Sequence, residues 1–364
     1  MSAAPRIAVI GAGIVGASIA YHLARRGAAV TVLDRGHPAG EATEKSFAWI
    51  NATWGNPLPY FRLRFLSMGE YRRLEDELDG ALGVVWRGCL IWDLADDDLE
   101  EFARRHAAWG YDVRLVERAE IAALEPGLIA PPARAAYAAG DGTLEPVAAT
   151  KALLAAAAAA DAAIRLDTEV TDLQTPASGV RVVTGAGTLD ADVCVLAAGA
   201  ATAALCAKVG VALPMRPTPG LLAHSRPAAP LLRHIVEAPG LHMKQECSRI
   251  VAGVDFGGGP APDDPEAEGR RLLALVGQHV RGADALELEK VTVGMRPMPD
   301  DGRPVLGFAP EVPGLYLATM HSGITLAPAV GRFAAMEILD GTRIEMLEPY
   351  RPERFLGERP VVTL

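Results

Sequence analysis

Three glycines and one aspartate near the start of the chain have the types and spacing of a dinucleotide-binding site. Gly11, Gly13 and Gly16 form a GxGxxG motif, and Asp34 ends the next apolar run. The first glycine permits a tight turn, the second lets a pyrophosphate approach the backbone, and the third lets a helix pack closely on a strand. A carboxylate at position 34 would accept hydrogen bonds from ribose hydroxyls, which favours FAD or NAD over NADP.

A strand, a helix and a second strand must carry these residues. The run "IAVI" before the motif is typical of a buried strand, and the segment from Ile14 to Ala24 has apolar side chains at helical spacing before it ends at Gly27. The run "AVTVLD" is typical of a second strand. A helix N-terminus at the glycines offers unpaired N–H groups to a phosphate. This order predicts dinucleotide binding, but the glycine spacing alone leaves FAD and NAD both open.

The rest of a nucleotide-binding sheet does not follow directly. A loop, "GHPAGEATEKSFAWINATWGNP", and a charged helix, "YFRLRFLSMGEYRRLEDELDG", come next instead. The pattern resumes with a helix near Pro146, a strand through Val170, a hairpin, and a buried strand, Val193–Leu196, that ends at small residues.

Two further stretches, residues 82–140 and 212–293, alternate strands with short helices. We therefore predict an α/β fold with two domains, in which a β-rich α+β domain interrupts a Rossmann-like domain. The predicted bounds are 1–60, 141–211 and 294–364 for the Rossmann-like domain and 61–140 and 212–293 for the β-rich domain.

Composition narrows the class of protein. Lys and Arg number 35 against 45 Asp and Glu, a net charge of −10, which argues against a nucleic-acid partner. The four cysteines form no CxxC pair, so we expect reduced thiols in a cytoplasmic protein. We expect no signal peptide, and the longest apolar run, "ALLAAAAAADAAI", is too short to span a bilayer. No HExxH, Walker or Ser-His-Asp pattern is found, and no metal site is predicted.

Two late segments make the pattern more specific: "GMRPMPDDGRPVLG" and "GLYLATMHSGITLAPAVGRFAAMEIL". With the N-terminal motif and the middle "VCVLAAGAATAAL", they give almost the whole chain a resemblance to the FAD-dependent D-amino acid oxidase superfamily. Its most similar members are glycine oxidase, sarcosine oxidase and D-amino acid dehydrogenase. The resemblance implies FAD rather than NAD. It also implies oxidation of the C–N bond of a small or N-methylated amino acid by hydride transfer to flavin N5, followed by hydrolysis of the imine. O2, a quinone or another electron carrier would be the acceptor.

The resemblance also implies which residues contact the cofactor. The last helix would begin at the flavin, where its N-terminus stabilises negative charge on the reduced ring. Family cysteine and histidine linkages to flavin fall near Gly294–Met295 and in "EKSFAWINA", where neither residue type is present, so we predict noncovalent FAD. The implied cofactor-binding residues are Gly11, Gly13, Ile14, Val15, Gly16, Asp34, Arg35, Thr43, Ser46, Phe47, Ala48, Val170, Ala198, Gly199, Gly323, Ile324 and Thr325.

Four residues are implied at the substrate. Arg296 matches the family arginine that pairs with the substrate carboxylate, and its planar guanidinium suits a two-bond fork. The alternative is a salt bridge from Arg296 to the nearby Asp300 or Asp301. His242 stands where glycine oxidase-like proteins carry a tyrosine, and it is either a substrate contact or a half-buried strand residue. His321 and Met320 precede the last helix and are expected to line the site.

Two other functions remain open from the sequence. One is an NAD-dependent dehydrogenase, and the other is a noncatalytic flavoprotein or a subunit of a larger oxidase. The absence of consecutive βαβ units and the segment "HSGITLAP" weigh against the NAD enzyme. Neither the side-chain specificity nor the oligomeric state is predicted.

Overall fold

The structure is a computed structural model that describes residues 4–53, 56–254, 256 and 258–356. Strands in this part of the chain are β1 (Arg6–Ile10), β2 (Ala29–Leu33), β3 (Trp49–Ile50), β4 (Val85–Trp86), β5 (Cys89–Ile91), β6 (Val113–Glu117), β7 (Arg134–Ala138), β8 (Gly142–Thr143), β9 (Ala163–Arg165), β10 (Val170–Gln174), β11 (Val180–Thr184), β12 (Gly187–Ala191), β13 (Val193–Leu196), β14 (Thr218–Ser225), β15 (Ile235–Ala238), β16 (Leu241–Glu246), β17 (Arg249–Val254), β18 (Leu288–Arg296), β19 (Val305–Phe308) and β20 (Leu315–Thr319). Helices are α1 (Ile14–Ala24), α2 (Leu58–Glu77), α3 (Asp96–Ala108), α4 (Arg118–Leu124), α5 (Pro146–Ala159), α6 (Thr202–Lys208), α7 (Pro265–His279) and α8 (Gly323–Asp340).

A six-stranded sheet carries the glycine motif, in the order β19-β20-β13-β1-β2-β9. β1 pairs in parallel with β2 and β13, β13 pairs in parallel with β20, and only the edge strand β19 is antiparallel among these pairs. The late segments of the chain therefore return to the sheet that the first residues begin. This arrangement is the α/β architecture predicted from the sequence.

Both faces of this sheet are covered, as expected for parallel strands that are apolar throughout. Along β1, Ile7 and Val9 pack with α1, α5 and α8, whereas Ala8 and Ile10 pack with the hairpin sheet β10-β11-β12. α8 crosses α1 closely at Gly331, where an added Cβ would lie 2.2 Å from Ser18 Oγ. The two helices are thereby fixed against each other beside the glycine motif.

An eight-stranded sheet forms the second layer, in the order β18-β14-β17-β16-β15-β5-β7-β6. Its neighbours are antiparallel except for the parallel pair β15 and β5. α7 packs on β14, β17 and β18, and α4 packs on β6 and β7, where they cover one face with Leu272, Val276 and Ile121. The opposite face is turned toward the glycine motif and supplies side chains to the cavity described below.

α2 joins the two halves of the molecule. It packs along α8, where Tyr71 donates a hydrogen bond to the carbonyl of Ile324 at 2.6 Å and Ser67 Oγ accepts one from the N–H of Ala329 at 3.2 Å. The predicted domain bounds at 60/61 and 293/294 fall inside α2 and β18. Those bounds also include residues 1–3, 54–55, 255, 257 and 357–364, which lie outside the described residues. No helix in the described ranges has the length and apolar character needed to cross a membrane.

Candidate active site

A cavity of about 860 Å³ opens between the glycine motif and the eight-stranded sheet. Of the residues predicted at the cofactor or the substrate, all except Gly16 line it. Those that line it are Gly11, Gly13, Ile14, Val15, Asp34, Arg35, Thr43, Ser46, Phe47, Ala48, Val170, Ala198, Gly199, His242, Arg296, Met320, His321, Gly323, Ile324 and Thr325. The structure thus brings residues from distant parts of the sequence into one space.

Gly11 and Gly16 are required by close backbone approach. Gly11 has φ +109°, and an added Cβ there would lie 2.4 Å from the carbonyl oxygen of Ala197. An added Cβ at Gly16 would lie 2.0 Å from the carbonyl oxygen of Gly11. Gly16 therefore lets α1 pack closely on the end of β1, as its place in the motif predicts. It has this role without lining the cavity.

The N-terminus of α1 has the features of an anion-binding site. Gly13 precedes the helix and has no side chain to cap it, and the N–H of Ile14 has only a long bond of 3.3 Å to Thr43 Oγ1. Unsatisfied N–H groups and the positive end of the helix dipole favour a phosphate at such a position. This end of the cavity fits a pyrophosphate.

Asp34 directly follows β2 at the same edge of the sheet. Its two carboxylate oxygens accept hydrogen bonds from the N–H groups of Ala12 at 2.7 Å and Gly36 at 2.9 Å. Each oxygen keeps a second lone pair for a further donor, such as a ribose hydroxyl. The next residue, Arg35, lines the cavity and forms an ion pair with Glu41.

Residues 43–53 run along one wall of the cavity, and we call them the flavin loop because the resemblance implies that they contact the flavin. Ala48 has φ +56°, a strained value for a residue with a side chain. Its N–H donates to Ser46 Oγ at 3.0 Å, and its carbonyl accepts from Thr143 Oγ1 at 2.9 Å. These bonds hold the strained residue in place between Phe47 and Trp49, which also line the cavity.

The first turn of α8 closes the end of the cavity. Ser322 lies in the left-handed region with φ +53°, and its side chain does not cap the helix. Thr325 Oγ1 instead donates to the carbonyl of Trp49 at 3.2 Å. The first N–H groups of α8 therefore remain available to an anionic ligand group. His321 and the buried Met320 line the cavity just before this turn, and His321 Nδ1 lies 3.2 Å from Ser322 Oγ.

Arg296 ends β18 and reaches into the cavity from the eight-stranded sheet. Its guanidinium lies along Gly220 of β14, where an added Cβ would come within 2.9 Å of a guanidinium nitrogen. The acids proposed as its alternative partners have other partners: Asp301 pairs with Arg354 at 2.7 Å, and Asp300 lies 3.8 Å from Arg216. Gly220 therefore leaves room for the guanidinium beside β14.

His242 on β16 is half-buried and lines the same cavity. Its ring meets the ring of Phe47 edge to face, with centroids 4.6 Å apart. An added Cβ at Gly253 would lie 2.2 Å from His242 Nε2, so the imidazole lies flat over the neighbouring strand. His242 is therefore a half-buried strand residue that also lines the cavity, and its contact with substrate stays a prediction.

The structure adds charged residues that the sequence did not single out. Arg64 is buried in α2 and donates to the carbonyl of Asn51 at 2.9 Å and to Asn51 Oδ1 at 2.7 Å. Burial lowers the pKa of Arg64. Glu237 and Asp93 also line the cavity, and burial raises the pKa of Asp93. A detectable signal exists for Arg64, since its position falls on the apolar stripe of α2, where a leucine is expected.

The cavity contains no position for a cysteine link to a cofactor. Cys89, Cys194 and Cys206 are buried elsewhere, Cys247 is exposed, and none of the four lines the cavity. Burial raises the pKa of Cys194 to about 12, which keeps its thiol protonated. The cysteines are structural or surface residues.

Comparisons with known proteins agree with this geometry. The model of the FAD-dependent oxidoreductase family matches residues 6–336. The glycine oxidase of Bacillus licheniformis is 29% identical over 357 residues, which cover 95% of this chain and 96% of that protein. The D-amino acid dehydrogenase of Cereibacter sphaeroides is 29% identical over 409 residues, covering 94% and 93%. The crystal structure of glycine oxidase from Geobacillus kaustophilus superposes with a TM-score of 0.88 at 28% identity, covering 97% of this chain and 100% of that one.

Proposed function

The chain belongs to the family of FAD-dependent oxidoreductases, and from this premise we propose that it oxidises the C–N bond of a small or N-methylated amino acid whose carboxylate is bound by Arg296. It is an FAD-dependent amino acid oxidoreductase, and the alternative of an NAD-dependent dehydrogenase is wrong. The observation that supports the substrate is that Arg296 lines the same cavity as the glycine motif and the first turn of α8.

The residues of the cavity fit FAD along its length. The uncapped N-terminus of α1 suits the pyrophosphate, Asp34 suits the ribose, and Val170 lines the wall where the adenine is proposed. Ala198 and Gly199 also line the cavity, and their small size leaves room for a ring. The position of the cysteines supports noncovalent binding.

When bound, FAD supplies the two-electron acceptor for oxidation of the amine to an imine, which water hydrolyses. The chain supplies orientation. Two parallel N–H···O bonds from Arg296 to a carboxylate fix both the position and the plane of one end of an amino acid. Positioning of this kind contributes several kcal/mol to catalysis, because the reacting atoms no longer have to find each other in solution.

The first turn of α8 supplies electrostatic stabilisation. Its free N–H groups at Gly323, Ile324 and Thr325 line the cavity, and negative charge that develops there is stabilised by the helix N-terminus. Tyr71 and Trp49 hold this turn through their hydrogen bonds to and from its residues. The donors are therefore in place before the reaction begins.

The substrate reacts as the neutral amine in this proposal, so no side-chain base is needed at the carbon that is oxidised. His242 and His321 line the cavity and can contact the amine or its substituent. The named relatives include an oxidase and a dehydrogenase, and both O2 and a carrier such as a quinone are proposed acceptors.

Product analysis tests the proposal. The FAD-loaded protein is incubated with glycine, sarcosine, D-alanine or D-proline, with O2 or an artificial quinone as acceptor. The proposal expects at least one substrate to give a 2-oxo acid and an equimolar amine or ammonia, or a cyclic imine from proline. Protein that binds FAD but gives no product with any amino acid and either acceptor would support the noncatalytic alternative instead.

A further inference from the structure

A buried carboxylate, Asp141, lies behind the flavin loop and has no part in the chemistry proposed above. It precedes β8 and is fully buried. Its Oδ2 accepts a hydrogen bond from Trp49 Nε1 at 2.7 Å, and its Oδ1 accepts one from the hydroxyl of Tyr111. Trp49 lines the cavity, so Asp141 is one side chain removed from it.

Through Tyr111 and Trp49, Asp141 is also connected to the backbone of Ala52 and to the first turn of α8. The hydroxyl of Tyr111 accepts from the N–H of Ala52 at 3.4 Å. The carbonyl of Trp49 accepts from Thr325 Oγ1 in the first turn of α8. Asp141 thus fixes the indole of Trp49 directly and, through Tyr111, the backbone that follows it.

We propose that Asp141 is a positioning residue for the bound flavin: its ionised carboxylate holds Trp49 against the first turn of α8, and its protonation changes that arrangement. The proposal rests on the placement of the flavin in this cavity, which is part of the proposed function, but it does not depend on the substrate. Asp141 acts through Trp49 and is not itself a catalytic residue.

The chemistry of the two donors makes the protonation states distinct. An indole N–H can only donate, and a protonated oxygen is a poorer acceptor than a carboxylate oxygen, so a proton on Asp141 Oδ2 weakens the bond from Trp49. A proton on Oδ1 requires Tyr111 to accept instead of donate. The Tyr111 hydroxyl has an alternative acceptor, since Met68 Sδ lies 3.6 Å away. Either way, protonation replaces two charge-assisted bonds to the carboxylate with a weaker set.

The titration falls in an accessible range. Burial raises the pKa of Asp141 to about 7, against the opposing effect of the hydrogen bonds from Tyr111 and Trp49 and the charge of Arg64. The carboxyl is therefore protonated below about pH 7 and ionised above it. Burial raises the pKa of Tyr111, so its hydroxyl stays neutral through this range.

Other titratable residues lie near Asp141, and the surroundings of each shift its pKa. Cys89 on β5 and Tyr137 on β7 have pKa values raised by burial, and both stay neutral near pH 7. On β16, Lys244 is fully buried and pairs with Glu246 at 2.7 Å, and burial lowers the pKa of its ammonium group. Asp141 is the titratable group of this cluster that bonds to Trp49, so the Asp141→Asn variant separates its titration from that of Lys244.

The test is a pH titration of the FAD-loaded protein without substrate, from about pH 5.5 to about pH 8.5, followed by flavin absorbance and tryptophan fluorescence. We expect a transition near pH 7 in the wild-type protein. The transition should be lost in Asp141→Asn and shifted to higher pH in Tyr111→Phe, because removal of a donor disfavours the ionised carboxyl. Asp97→Asn, an exposed acid in the first turn of α3, is the matched control and should titrate as the wild type does.

A transition that persists at the same midpoint in Asp141→Asn would overturn the inference, because another group would then be titrating. So would the absence of any transition in the wild type. Should Asp141→Asn fail to retain FAD, Tyr111→Phe decides: a raised midpoint supports the inference, and an unchanged midpoint overturns it. Because no substrate is present, failure here leaves the proposed amine oxidation intact, and failure of turnover leaves this titration intact.

Discussion

Replacing Arg296 with methionine removes the guanidinium and keeps a flexible side chain of similar length. The guanidinium lies against Gly220 of β14, and Arg296 lines the cavity, where its planar fork suits a carboxylate. Hydrogen bonds to a charged group contribute about 1.5–3 kcal/mol each, and loss of two gives roughly 3–6 kcal/mol. Since about 1.4 kcal/mol is tenfold in rate, kcat/KM should fall by roughly 10²- to 10⁴-fold in Arg296→Met.

Arg296→Lys separates charge from geometry. Lysine keeps the positive charge but offers a point charge instead of a planar fork, so about one charge-assisted bond is lost. We expect a loss of roughly 10- to 100-fold, intermediate between the wild type and Arg296→Met. An equal loss in the two variants would mean that the fork, and not the charge, carries the whole effect.

Anaerobic stopped-flow measurement of flavin reduction is the assay, with the flavin content of each variant determined first. Arg216→Met is the matched control. Arg216 is a largely exposed arginine beside Asp300, and its replacement should leave flavin reduction unchanged. Flavin reduction in Arg296→Met at the wild-type rate and substrate concentration would refute the role of Arg296 as carboxylate anchor.

Two further outcomes follow from the cofactor end of the cavity. Gly11→Ala places a Cβ 2.4 Å from the carbonyl oxygen of Ala197, at a residue whose φ is +109°. The variant should contain less FAD, and its free energy of unfolding should be lower by about 1–3 kcal/mol from φ alone. Gly27→Ala, at φ +84° with open space around it, carries the φ strain without the clash; equal FAD loss in the two would contradict the packing argument. Acid precipitation should release all flavin into the supernatant, and flavin retained in the pellet would show a covalent link that the cysteine positions do not predict.

The cofactor-binding half of the cavity is predictable because the residues that identify it lie close together in the sequence. Gly11, Gly13 and Asp34 lie on consecutive elements, so their spacing alone places them at one edge of the sheet. No local pattern says which strands pair, so the position of β19 and β20 beside β13 in this sheet comes from the structure alone.

The network behind the flavin loop could not be predicted. Asp141 lies 92 positions from Trp49 in the sequence and 30 from Tyr111, and neither spacing is a motif. The periodicity of α2 likewise shows which face is buried, but it does not show that α8 is the element packed against that face. Nor does the sequence single out Arg64, because a charged residue in a charged helix is usually solvated.

The most direct test of the proposed function is anaerobic mixing of the FAD-loaded wild-type protein with an amino acid and, separately, with the amine that lacks its carboxylate. Flavin that is bleached by the amino acid and reduced far more slowly by the matched amine is the result predicted for a cavity in which Arg296 orients the substrate. Flavin that no amino acid reduces, or that both compounds reduce equally well, would contradict it.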